Sequence, residues 1–138
     1  MRVMYDLNVL LDVVRKREPH YRASAEAVSK AVEGAVTAVF PCHGVTTLHY
    51  LVGRYAAKGR ADEIVDWLLA RFSIGSAGAA ELSRARGMSM RDLEDAVVVA
   101  VAESTGCDAI VTRNIADFTG APLRVMTPEE FLLELSGE

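Results

Sequence analysis

At 138 residues the chain has the size of one domain, residues 1–138, and its 51% hydrophobic content is ample for a buried core. Nineteen acidic against fifteen basic side chains leave a net charge of −4; with no overall basic field to draw nucleic acid from a distance, a simple nucleic-acid binder is disfavoured, while an enzyme with a local basic rim or cation-bridged carboxylates stays open. No apolar run approaches the ~20 residues a bilayer demands, and no basic leader precedes an apolar stretch, so the expected location is the cytoplasm.

Val3 to Tyr5 reads as a first strand. It ends at Asp6, and a helix-compatible pattern with Leu10, Leu11 and Val14 runs from Asn8 to about Lys16. The polar RKREP interrupts. From His20 a helix rich in alanine, glutamate and lysine carries the stripe Tyr21, Ala25, Val28 and Val32 and stops at Gly34. AVTAVF, ending at Pro41, is the second strand. Two helical segments follow, TTLHYLVGRYAAKG and Ala61 to Phe72, separated at Gly59; in the latter Ile64, Val65, Leu68 and Leu69 face inward with Trp67 beside them. Glycine and serine dilute the next stretch, where a short strand over Phe72 to Gly75 and a small helix from Ala77 to Ala85 are predicted. MSMRDLEDAVVVAVAESTG then reads as a helix over 90–105, with Ser89 as its cap, acids at its positive end and a stop at Gly106. Val97, Val98, Val99 and Val101 crowd nearly every side of it, which implies a central, buried helix. Asp108 to Thr112 and Leu123 to Met126 are strands. TPEEFLLELSG closes the chain as a helix with Thr127 as cap and Pro128 at its first position.

Short β-branched strands alternating with helices mean an α/β fold with a mostly parallel sheet of four or five strands, covered on both faces. In such a sheet, strand ends and helix starts share the edge where ligands bind. Asp6, the group Asp92, Glu94 and Asp95, and Asp117 all fall at that edge. Like charges gathered there repel unless a cation joins them, and oxygen-only ligands point to Mg²⁺ or Mn²⁺ in preference to zinc. Asp92 and Glu94 also suit the positive end of a helix dipole, and Asp6 suits a cap for the helix that follows it. Asp12 is expected to be a solvated or structural helix acid, paired with Arg15 or Lys16. Cys42 and Cys107, far apart and following apolar stretches, are expected to be buried free thiols. His43 and His49 lack the spacing of a two-histidine metal site and read as surface or supporting groups.

The succession YDLNVLLDVV, DLEDAVVVAVAESTGCDAIVTRN, ADF and VMTPEEFL resembles the PIN domain, the nuclease fold of many prokaryotic toxins of the VapC type, over essentially the whole chain. The resemblance implies a three-layer fold and acids holding one or two Mg²⁺ or Mn²⁺ ions for cutting RNA. It assigns ligand and catalytic roles to Asp6, Asp95 and Asp117. Asn8, Thr47 and Asn114 then stand behind the ligands, and Arg113 meets a phosphate oxygen, with Arg15, Arg17, Arg54 and Arg91 as a local rim. The family's remaining acid falls on Thr47, which has no carboxylate, and Leu7 occupies a position where the family commonly has a small residue. A homodimer through the two helices spanning 46–72, where Tyr50, Tyr55, Trp67 and Phe72 lie, and an antitoxin protein as partner are further expectations. The rival reading is a PIN-fold module that has lost its chemistry and binds or regulates.

Overall fold

The computed structural model describes residues 1–137, apart from the side chain of Lys58. Strands β1 (Arg2–Tyr5), β2 (Thr37–Pro41), β3 (Ser73–Gly75), β4 (Ala109–Val111) and β5 (Arg124–Met126) pair in the order β3-β2-β1-β4-β5, every pair parallel. Between and after them run α1 (Leu7–Val14), α2 (Tyr21–Val32), α3 (Cys42–Tyr55), α4 (Lys58–Arg71), α5 (Ala79–Arg86), α6 (Leu93–Ser104) and α7 (Pro128–Leu135), with a 3₁₀ turn at Ile115–Phe118.

The pleat sorts the strand residues onto two cores. Val3, Tyr5, Ala38, Phe40, Ala109 and Val111 face the layer built from α1, α2, α3, α4 and α7, whereas Met4, Val39 and Ile110 face α6 and α5. Alternation of period two along strands buried on both faces gives this division, and the result is the expected three-layer α/β architecture. On the first face Tyr5 makes edge-on contacts with Phe72 and Phe131, and its hydroxyl donates to the Ala27 carbonyl at 2.6 Å. On the second face α6 is buried from Ala96 through Ala102, as its valine density predicts. Among the described residues no helix is long and apolar enough to cross a membrane.

Several sequence expectations shift. The cap of α6 is Asp92, whose side chain accepts from the Asp95 N–H at 3.0 Å, so Ser89 lies outside the helix and the element starts at Leu93. The α2 stripe is Ser24, Ala27, Val28 and Ala31, rotated from the predicted one, because Ser24 and the Ala27 carbonyl serve polar partners in the core; Val32 is exposed. In α4 the inward stripe is Ala61, Ile64 and Leu68, which turns Leu69, one residue further round, out to solvent at 60% exposure. The break between α3 and α4 is the pair Ala56 and Ala57, directly before α4 begins, so Gly59 sits inside α4. Cys107 is buried and Cys42 is half-buried; both are free thiols.

Candidate active site

Chain order runs from β1 outward to β2 and β3, then returns across the sheet to β4 and β5 on the other side of β1. The direction of winding reverses between β1 and β4, and a parallel sheet opens its binding crevice beyond the carboxyl ends of the strands at such a switch. Asp6 follows β1 and Thr112 follows β4 at that point, joined by the Asp6 N–H donating to the Val111 carbonyl at 3.0 Å.

Asp6 is 8% exposed, and both oxygens are engaged. Oδ1 accepts from the Leu7 N–H at 2.9 Å and so caps α1, while Oδ2 accepts from the Thr112 hydroxyl at 2.9 Å. Thr112 Oγ1 in turn accepts from Asn8 Nδ2 and from the Asn114 N–H, each at 3.2 Å, and Asn8 Oδ1 accepts from the Arg113 N–H at 3.3 Å. Asn114 Nδ2 donates to Asp117 Oδ2 at 2.9 Å. The predicted residues Asp6, Asn8, Asn114 and Asp117 therefore belong to one hydrogen-bonded chain whose central atom is the Thr112 hydroxyl.

Asp95 approaches from the first turn of α6. It is half-buried, and with Arg91, Asp92, Ala116 and Asp117 it lines a cleft of about 410 Å³. Its carboxyl is pushed up to about 7, first by burial and then by the charges of Asp6, Asp92, Asp117 and Glu94. Asp6 is raised as well: burial dominates, the Thr112 and Leu7 hydrogen bonds oppose it, and Asp117 and Glu94 add to it. An edge where buried carboxyls repel one another in this way favours either protons or a cation.

Thr47 is set apart from this chain. Its hydroxyl donates to the His43 carbonyl one turn back at 3.0 Å, and it lines an adjoining cleft of about 410 Å³ with His43, Leu93 and Glu94. Burial lowers the His43 imidazole below its ordinary value, against the charge of Glu94, and its buried Nδ1 has no hydrogen-bond partner among the described residues. His49 pairs with Asp62 at 2.7 Å. Of the expected basic rim, Arg15 stacks over Tyr55 and Arg54 over Tyr50, while Arg91 faces the cleft.

Asp12 departs most from expectation. It is fully buried, and its partners are Arg17 at 3.1 Å, Arg113 at 2.9 Å and the Ser24 hydroxyl at 3.3 Å, in place of Arg15 or Lys16. Arg113, expected against phosphate, thus has its Nε bound to Asp12. Thr112 carries no role in the sequence pattern; its one signal there is a hydroxyl residue at the end of a strand, just before Arg113 and Asn114.

The donor set suits a hard cation, since carboxylates and amide oxygens predominate. Among the described residues no three acidic, imidazole or thiol side chains converge into a ready-made sphere. That geometry is compatible with Mg²⁺, which keeps several waters and takes only one or two carboxylates from a protein. Asp6 and Asp95 would be the residues to hold it; Asp95 and Asp117 line the cleft.

The PIN domain family profile matches residues 2–116, and the chain belongs to the PIN-domain family. No curated protein matches it. Among solved structures it is similar to VapBC2 from Rickettsia felis bound to a promoter DNA fragment, at 19% identity and a TM-score of 0.69 over 92% of this chain and 98% of that one. A toxin–antitoxin complex from Klebsiella pneumoniae is similar at 21% identity and 0.69, over 91% and 97%. Mycobacterium tuberculosis VapC20, a toxin that cleaves the sarcin–ricin loop, is similar at 11% identity and 0.61, over 78% and 86%. At these identities the likeness is one of fold.

Proposed function

We propose that this PIN-domain protein is a Mg²⁺- or Mn²⁺-dependent ribonuclease of the VapC type, hydrolysing RNA phosphodiester bonds in the cytoplasm. The observation that supports the reading is that Asp6, Asp95 and Asp117 share the switch-point edge of the sheet, with Asp6 raised by burial and by the charges of Asp117 and Glu94, and Asp95 raised by burial and by the charges of Asp6, Asp92, Asp117 and Glu94. A divalent cation bound there supplies activation of water and stabilisation of charge developing on the phosphate oxygens. The chain's own residues do the rest. Asp6 and Asp95 hold the cation, Asp117 closes the cleft, and the Thr112, Asn8 and Asn114 network fixes their orientation. Arg91, in the cleft, is placed to meet a phosphate oxygen, whereas Arg113 has its Nε on Asp12. Hydrolysis by in-line attack of water breaks one P–O bond, and the leaving oxygen takes a proton.

A second reading has its own observation. Thr47 carries no carboxylate and directs its hydroxyl to its own helix, so a cation is held by fewer acids than the family pattern implies. A silent descendant that binds or regulates follows from that loss. Cleavage of a mixed RNA pool in saturating Mn²⁺, with chelator controls, separates the two. The ribonuclease reading expects metal-dependent cleavage by wild type that is lost in Asp6→Asn and Asp95→Asn. No cleavage by wild type, with cleavage gained in Thr47→Glu, establishes the silent descendant instead.

Partners follow the same reading. Tyr50, Tyr55 and Leu69 are exposed on α3 and α4, which supports a homodimer through these helices. The similar structure from Klebsiella pneumoniae is a toxin–antitoxin complex, and a small antitoxin protein is the proposed regulator of this chain.

A further inference from the structure

The geometry points to Asp12 as a positioning residue for the acidic edge, acting through Arg113; this rests on the cation-site reading above. A carboxylate with no exposed surface must be neutralised where it sits, and Arg17 alone, with Nε on Oδ1 at 3.1 Å, meets that need. Its other oxygen takes Arg113 Nε at 2.9 Å and the Ser24 hydroxyl at 3.3 Å. Arg113 is the residue between Thr112 and Asn114. Its own N–H is held by Asn8, the Thr112 hydroxyl holds Asp6, and the Asn114 amide holds Asp117. Asp12 therefore anchors from below the three-residue segment that aims two of the three proposed ligands. Arg17, by contrast, has its polar contacts with Asp12 and His20, away from that segment.

The two arginines provide an internal control, because removing either leaves Asp12 with one cation. A purely structural role makes Arg17→Gln and Arg113→Gln alike. The field of Arg113 gives a further discrimination, since deleting a positive charge beside a dication site tightens cation binding by Coulomb's law, whereas loss of positioning weakens it.

The test compares both variants in the full chain, with Asp12→Asn as a third where it folds. In chelator, amide hydrogen exchange at positions 113 and 114 is expected to be about tenfold faster in Arg113→Gln than in Arg17→Gln after correction for global stability. In Mn²⁺ titration, Arg113→Gln is expected to bind about 10- to 100-fold more weakly, the usual scale for groups that orient a ligand, while Arg17→Gln stays near wild type. Equal exchange in the two variants, or tighter Mn²⁺ binding by Arg113→Gln, overturns the assignment. Wild type that binds no Mn²⁺ removes the cation reading instead, and the exchange comparison then decides the role of Asp12 by itself.

Discussion

Asp6 uses one oxygen as a helix cap, as one reading of the sequence expects, and the other as the acceptor of the Thr112 hydroxyl. Asp95 has no such support and bears the repulsion of its neighbours. In the folded protein it keeps its proton up to about 7, against an ordinary value of 3.8. Across that window the folded chain binds more protons than the unfolded one, so this residue's contribution to stability is lost as pH rises towards 7. Asp95→Asn removes the loss. Thermal unfolding in chelator should therefore show Asp95→Asn raising Tm over wild type more at pH 8 than at pH 4; an equal difference at both would contradict the assignment. Asp12 shows what a single sequence conceals at this scale. Its acid on a short helix looks like a surface residue, and the partner that buries it lies 101 positions away in Arg113.

Helix α6 was legible because an unbroken valine run suits only a helix buried on most sides. Its start was not, since both Ser89 and Asp92 are good caps and only the fold shows which N–H groups need one. The packing of β3 on α6 yields a prediction of its own. A Cβ on Gly75 would lie 2.5 Å from Val101 Cγ1, so Gly75→Ala is expected to destabilise by about 1–3 kcal/mol, the usual cost of overpacking, with the acidic edge unchanged. Urea unfolding reads it, and a variant as stable as wild type would show that the contact yields without cost. At α7 the capping box, with the Glu130 N–H on the Thr127 hydroxyl at 3.1 Å and the Thr127 N–H on Glu130 at 2.9 Å, predicts a loss of about 1 kcal/mol in Thr127→Ala. The same unfolding experiment checks it, and no loss would mean water replaces the cap.

Across the whole molecule, strand identity was readable but strand order was not. β1, β2 and β4 announce themselves as apolar runs because both their faces are covered, whereas β3 and β5 lie at the sheet's edges, where part of each strand is exposed. The reversal between β1 and β4 that opens the crevice is a property of the assembled sheet and leaves no local mark. Asp6, Asp95 and Asp117 are set apart in the sequence by their positions at strand ends and helix starts, but the Thr112 hub that links Asp6 to Asp117 through Asn114 forms only in the folded chain. At this scale too belongs the homodimer: sedimentation at high micromolar concentration is expected to show two chains, and Tyr50→Glu with Leu69→Glu is expected to show one. A wild-type monomer would remove α3 and α4 from consideration as an interface.

The proposed ribonuclease depends on Asp6, Asp95 and Asp117 holding one cation. Calorimetric Mn²⁺ titration of the wild type beside Asp6→Asn, Asp95→Asn and Asp117→Asn tests it without reference to any RNA. Saturable binding by wild type is expected, with proton release near pH 7 because Asp95 must deprotonate to bind, and a large loss of affinity in Asp6→Asn and Asp95→Asn with a smaller one in Asp117→Asn. Binding left intact by Asp6→Asn and Asp95→Asn, or no binding by wild type, would contradict it.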